Sequence, residues 1–224
     1  MDQLRSVGHG KVRFLRWINS QVWNYWLEII AVLLLTTASL ATAWNGYQAA
    51  RWGGVQSTAF SQASAKRVQA SDANTSGFVE MFMDAEVFND YADAFTSNDT
   101  QLMAFLERQF SDRLRPAVDA WLATSPLSNP DAPGSPMDMP EYRNPSFEHA
   151  EQLSDEADAL FTSGLDASDK SDQYILNTVY LATALFFAGI AGKVVGRPAR
   201  TMIIIIGSMM LIFGLYHIVS LPVQ

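Results

Sequence analysis

The sequence predicts an all-α membrane protein with three transmembrane helices and a helical-bundle domain outside the cytoplasm. Three observations support this fold class. Three apolar blocks each reach the roughly 20 residues that a helix needs to cross a bilayer. Lysine and arginine are concentrated in short segments beside these blocks, whereas acidic residues are concentrated in one long segment. That long segment has apolar residues at helical spacing and no alternating strand pattern.

The three predicted spans cover residues 27–47, 174–195 and 201–221. The first contains several hydroxyl side chains, which bond to carbonyls of their own helix and therefore cost little in lipid. Its basic leader and the small residues at 41–43 also fit a signal peptide. Because the leader is long and rich in tryptophan, we interpret this block as an uncleaved anchor.

The distribution of basic residues predicts the orientation. The leader, residues 1–26, has four basic residues and one acid, and the turn at 196–200 has two basic residues and no acid. Residues 46–173 have eight basic and 21 acidic residues, a net charge of −13. Since short basic segments stay in the cytoplasm, we predict a multi-pass protein of a bacterial cytoplasmic membrane. Its N-terminus, with an amphipathic leader, lies inside and its C-terminus outside.

The acidic segment 48–173 is predicted to fold as the outer domain. Its predicted helices cover residues 45–73, 77–95, 100–124 and 146–172, with a cap at 97–99. Six prolines and one glycine make residues 125–145 a surface loop rather than a helix. Four such helices indicate a small bundle. In outline this resembles the extracytoplasmic four-helix domains of bacterial chemoreceptors, a similarity of architecture from which no binding residue follows.

The end of the first span has a distinctive aromatic pattern. Residues 41–54 read ATAWNGYQAARWGG. This segment resembles uncharacterised bacterial three-span membrane proteins, in which the first span ends in a Trp-x-x-Tyr-Gln-Ala-x-x-Trp-like pattern. The resemblance implies a bacterial origin and no specific activity.

Three groups of candidate residues lie within or beside the spans. The residues of a possible outer interface or vestibule are Trp44, Tyr47, Gln48, Arg51 and Trp52. They also fit an interfacial aromatic belt, with Arg51 extending to the lipid head groups. The polar residues within or near the spans are Glu28, Asn177 and His217. The glycines suited to close helix packing, within the chain or between chains, are Gly189, Gly192, Gly207 and Gly214.

Glu86, Asp90 and Asp93 recur at helical spacing in the outer domain. Calcium prefers oxygen ligands that converge from a loop, so a helical stripe of acids is a weak metal candidate and better fits a solvated face. The chain has no cysteine, which excludes disulfides and thiolate metal sites. No catalytic or phosphate-binding motif is present in the sequence. We therefore expect no enzymatic activity and no cofactor, and the acidic charge disfavours nucleic acid as a partner.

The leader and the basic turn are too short to form a cytoplasmic signalling domain. We therefore expect a non-enzymatic membrane scaffold or accessory subunit, which assembles in the lipid bilayer as a homo-oligomer or within a larger membrane complex. One alternative is a homo-oligomeric cation channel whose acidic outer vestibule concentrates cations. Another is a ligand-sensing membrane protein that signals through a partner.

Overall fold

The computed structural model describes the backbone of residues 3–224 and the side chains of residues 25–224. Within this range the chain is all-helical, without strands. The α-helices are α1 (Gln3–Thr96), α2 (Thr100–Leu106), α3 (Leu114–Ala123), α4 (Pro145–Ala191) and α5 (Arg197–Ser220). Short 3₁₀-helices cover Glu107–Gln109 and Pro136–Asp138. The predicted amphipathic character of the leader depends on side chains that, up to residue 24, lie outside the described residues.

In the part of the chain searched from Tyr25 onward, three helices are long and apolar enough to cross a membrane: α1 within Tyr25–Thr96, α4 and α5. This confirms the all-α class and the presence of three candidate spans. The chain divides into two compact units. We call Met1–Thr58 with Ser163–Gln224 the apolar unit, and Ala59–Thr162 the acidic unit.

Helix α1 is continuous where the sequence predicts a break. The polar stretch at 74–76 is helical, so the prediction of separate helices over 45–73 and 77–95 is wrong. Gly53 and Gly54 are helical as well. A glycine costs a helix about 1 kcal/mol relative to alanine, which packing can offset. At Gly77 the packing is visible, because a Cβ there would lie 2.7 Å from ring carbons of Phe147. The absence of a side chain at this position allows α4 to approach α1.

The predicted helix over residues 100–124 is also wrong as a single element. It is broken between α2 and α3, and Phe110 has an extended backbone. Pro116 lies in the first turn of α3, where its missing N–H requires no partner. Proline in the first turn therefore accounts for the start of α3.

The predicted cap is present at the start of α2, because the Asp99 side chain accepts a hydrogen bond from the N–H of Leu102 at 3.0 Å.

In the acidic unit, α1 and α4 run antiparallel. The ring centroids of Phe60 and Phe161 lie 5.2 Å apart, and those of Phe78 and Phe147 lie 5.1 Å apart. A second core joins the end of α1 to α2 and α3. Its buried residues are Phe88, Tyr91, Ala94, Leu106, Phe110, Leu114, Val118 and Trp121.

The proline-rich segment is an ordered loop that ends where α4 begins. Trp121 donates a hydrogen bond from Nε1 to the carbonyl of Pro133 at 2.7 Å. At the other end, the buried Asn144 donates from Nδ2 to the Gly77 carbonyl at 3.1 Å and accepts from the N–H of Ser146 at 2.8 Å. These bonds attach both parts of the loop to helices.

In the apolar unit, α1 presents a narrow stripe of small and medium apolar residues. Its buried residues recur at alternating steps of four and three: Leu27, Ala31, Leu34, Ala38 and Ala41. They form one core with α4 and α5, through residues such as Leu181, Ala184, Ile204 and Leu211. Alternating steps of this kind are typical of helices that pack side by side over several turns.

The connection between α4 and α5 is short and basic. Helix α4 ends at Ala191, so the predicted span 174–195 continues four residues beyond the helix. Helix α5 begins at Arg197, and therefore most of the predicted turn 196–200 belongs to its first turn. Gly196 has a φ of +117°, a conformation that residues with a Cβ rarely adopt.

Candidate functional site

Residues 221–224 fold back onto α1 and α4 in the apolar unit. Leu221 is buried against Ala49, Trp52, Ala167 and Tyr174. The Pro222 carbonyl accepts two hydrogen bonds, from Trp52 Nε1 at 3.0 Å and from the Tyr174 hydroxyl at 3.3 Å. We call this arrangement the tail junction.

Gln48 makes the other polar contacts of the tail junction. Its Oε1 accepts a hydrogen bond from the backbone N–H of Gln224 at 3.0 Å, and its Nε2 donates to the Gln224 carbonyl at 3.4 Å. The Gln48 side chain is fully buried. The channel hypothesis uses this residue as part of a vestibule, but here both of its amide atoms bond to Gln224.

The predicted outer-interface residues lie on two different faces of α1. Gln48 and Trp52 are buried, whereas Trp44, Tyr47 and Arg51 are exposed. The exposed Trp44 and Tyr47 rings lie 5.9 Å apart. The structure therefore brings only Gln48 and Trp52 into the tail junction. The other three residues point outward, as an interfacial belt requires.

The polar residues predicted within the spans are not gathered into one cluster by observed contacts. Glu28 is exposed on α1. Asn177 is buried and donates from Nδ2 to the Gly214 carbonyl at 3.1 Å, which joins α4 to α5. His217 is half-buried, and its ring stacks on Phe213 at 6.5 Å between centroids.

The four predicted packing glycines divide into two pairs. A Cβ on Gly207 would lie 3.3 Å from the Phe187 Cβ, and a Cβ on Gly214 would lie 2.7 Å from the Leu181 Cδ2. These glycines of α5 therefore pack closely on α4. Gly189 and Gly192 are exposed, and a Cβ on either would meet nothing within 4 Å.

A partly buried ion pair joins α1 to the start of α3 in the acidic unit. Arg113 is the residue before α3, and its Nε lies 2.6 Å from the Oδ2 of Asp84 in α1. The same carboxylate oxygen accepts a hydrogen bond from the Tyr142 hydroxyl of the loop at 2.8 Å. Burial first, and then the hydrogen bond to Asp84, raises the pKa of Tyr142 to about 12. Helix α1, α3 and the loop thus meet at a single carboxylate.

An apolar groove of about 810 Å³ opens beside α1 in the acidic unit. We call it the Phe–Met groove. Its main apolar residues are Phe78, Val79, Phe82 and Met83 of α1 and Met137 of the loop. Phe82 is 71% exposed and Met83 is 59% exposed. These are large apolar surfaces outside any core of the acidic unit.

The predicted acidic stripe continues the same face of α1. Glu86 and Asp138 line the groove, and Glu86, Asp90 and Asp93 are exposed. Among residues 25–224, no group of three His, Cys, Asp or Glu side chains is arranged to hold a metal ion. Glu86 belongs both to the lining of the groove and to the acidic stripe.

Comparison of the chain with protein-family models, with curated proteins and with solved structures finds no match. The geometry of the chain itself is the basis for any functional proposal.

Several buried or paired residues have no clear local signature in the sequence. Asn45, three positions before Gln48, is fully buried. It lies seven positions before Trp52, and this helical spacing could have indicated that both residues share a buried face. Arg113 and Asp84 are 29 positions apart, so no local pattern indicates that they pair. The same holds for residues 221–224, which meet Gln48 and Trp52 only through folding.

Proposed function

We propose that this chain is a non-enzymatic integral membrane scaffold or accessory subunit that assembles with other membrane-associated proteins. The observation that carries this proposal is the exposed Phe–Met groove of the acidic unit. Protein surfaces in contact with water rarely expose a contiguous patch of large apolar side chains unless a partner binds there. Phe78, Phe82 and Met83 offer such a patch.

The charge distribution supports a location for each unit within this proposal. In a bacterial cytoplasmic membrane, the three apolar helices would anchor the chain with the basic turn inside. The acidic unit, with 18 acidic and six basic residues, would then extend outside the cytoplasm. The resemblance that we propose for residues 41–54, to bacterial three-span membrane proteins, would fit this location.

The native mass of the protein after solubilisation in a mild detergent tests the proposal. One chain has a mass of 24.8 kDa. We expect light scattering with detergent correction, or native mass spectrometry, to give a defined species larger than one chain. Protein purified at its natural expression level is needed, because overproduction would leave a partner substoichiometric.

A single chain under these conditions, with no associated protein at a fixed ratio, would contradict the scaffold proposal. A symmetric ring of identical chains would instead direct attention to the channel hypothesis. Ion flux in reconstituted vesicles would then decide between a scaffold and a channel.

A further inference from the structure

One exposed face of α1 in the acidic unit has an apolar half and an acidic half. Val79 and Met83 are followed by Glu86, Asp90 and Asp93, at alternating steps of four and three residues. Such steps keep side chains on one side of a helix. The 14 residue-to-residue steps from Val79 to Asp93 correspond to about 21 Å at about 1.5 Å per step. This is the length of four turns of a docked helix.

The apolar half has the properties of a helix-binding groove. Phe78, Phe82 and Met83 supply large exposed surfaces on α1, and Met137 contributes from the loop. Methionine side chains adapt to different apolar partners, which suits them to recognition surfaces. Grooves of this kind bind the apolar face of an amphipathic helix.

The acidic half indicates the charge of the occupant. Glu86, Asp90 and Asp93 are exposed, and none of them forms an ion pair among residues 25–224. The acidic unit carries a net charge of −12. Complementary charge favours encounter and fixes the register of a partner. The occupant therefore needs basic residues beyond its apolar end.

A second copy of this chain does not meet that requirement. If two of these faces packed in parallel, the acidic stripes would lie against each other. If they packed antiparallel, the Phe–Met groove of one copy would face the carboxylates of the other. Either arrangement brings together two units of charge −12, and like charges brought together oppose association.

We infer that this face of α1 docks a basic amphipathic helix of a different protein, with the apolar end in the Phe–Met groove and lysine or arginine along Glu86, Asp90 and Asp93. The inference rests on the proposed scaffold function and specifies the chemistry of its partner. It assigns the acidic stripe to protein recognition.

Binding of synthetic helical peptides to the full-length protein in detergent tests the inference. The probe is a fluorescent peptide of about 18 residues, the length of the face plus one turn. In one half of the peptide, leucines occupy one side of the helix. In the other half, lysines occupy that same side. Both chain directions are synthesised. Control peptides replace the lysines with glutamates, or the leucines with serines. We expect only the leucine–lysine probe to bind, with an affinity that falls as salt screens the charges.

Matched variants locate the binding. We expect Glu86→Lys with Asp90→Lys to weaken binding about tenfold or more, an effect of about 1.4 kcal/mol. The control is Glu141→Lys with Asp155→Lys, which makes the same charge change at other exposed acids and should leave binding within about twofold. Phe82→Gln should also weaken binding about tenfold, whereas Leu127→Gln, at another exposed apolar residue, should not.

Equal effects of the two charge-reversal pairs would overturn the inference, because attraction would then be general. Failure of every probe to bind would overturn it as well. If Phe82→Gln halves the native mass of a dimer, the occupant is a second copy and the inference is wrong. The Glu86→Lys, Asp90→Lys variant also separates the two proposals. If it no longer binds the probe but still forms the larger native species, its assembly does not use this face; the scaffold proposal then stands and the docking inference fails. If only single chains are found, the scaffold proposal itself fails.

Discussion

At the scale of single residues, Asp84 connects three segments that are distant in the sequence. Its side chain is buried, pairs with Arg113 and accepts a hydrogen bond from Tyr142. A buried charge is costly unless it is paired and hydrogen-bonded. The two partners of Asp84 satisfy this requirement and at the same time hold the loop against α1. Loss of either partner would therefore leave the buried Asp84 carboxylate with one polar contact fewer.

The phenol of Tyr142 gives this contact a measurable pH dependence. Burial and the bond to Asp84 raise its pKa from 10.0 to about 12. Because the folded pKa exceeds the unfolded one, the stabilisation is complete below pH 10 and is lost as pH rises through about 12. At neutral pH, we expect Tyr142→Phe to be less stable by about 1 kcal/mol, the value of one hydrogen bond.

This stability difference between wild type and Tyr142→Phe should shrink as pH rises above 10. Denaturant unfolding of the full-length protein, followed by tryptophan fluorescence across this pH range, measures it. If the stability difference between the two proteins stayed constant as pH rose to about 12, the Tyr142 phenol would not titrate as this contact requires.

At the scale of helices, close packing in the apolar unit depends on which glycines face a neighbour. Gly207 and Gly214 lie against α4, while Gly189 and Gly192 have open space beside them. All four look alike in sequence, since each is a glycine within a predicted apolar span. They differ in whether they face the neighbouring helix, which depends on the register of α5 on α4. The hydrogen bond from Asn177 to the Gly214 carbonyl marks this register.

A pair of valine substitutions tests this assignment. Gly214→Val would place carbon atoms against the fully buried Leu181 and should destabilise the protein by about 1–3 kcal/mol through overpacking. Gly189→Val, in open space on α4, should change stability by less than about 0.5 kcal/mol. Thermal unfolding of both full-length variants in the same detergent provides the comparison. A larger loss for Gly189→Val would place the helix contact, and so the register, elsewhere.

At the scale of the whole molecule, the unequal charge of the two units underlies the proposed orientation. The turn after α4 is basic, whereas the acidic unit has a net charge of −12. Short basic segments remain on the cytoplasmic side during membrane insertion. The proposed orientation therefore places the exposed Asp131 of the loop and the exposed Arg197 of the turn on opposite sides of the membrane.

The absence of cysteine permits a direct test of this orientation. We expect a membrane-impermeant maleimide to label Asp131→Cys in intact cells, because the proposed orientation places the acidic unit outside. Arg197→Cys should be labelled only after the membrane is permeabilised. The cysteine-free wild type is the background control. The reverse labelling pattern would invert the orientation and would contradict an outer acidic domain.

The sequence alone determined the all-α class and the three apolar helices able to span a membrane. Both follow from local properties, because span length, hydropathy and helical spacing are contained in single stretches of chain. The cap at Asp99 was also predictable from its neighbours. The continuity of α1 was not, since packing such as that of Gly77 on Phe147 can offset the local cost of glycine.

Only the tertiary structure decided which candidate residues meet. Gln48 and Trp52 bond to residues 176 and 170 positions away, while Trp44 and Arg51, from the same segment, face outward. The pairing of Asp84 with Arg113 depends on the same kind of long-range contact. Such pairings depend on how separate helices pack and on the register between them. A pattern within one helix shows that a face is buried, but it does not identify the distant segment that covers it.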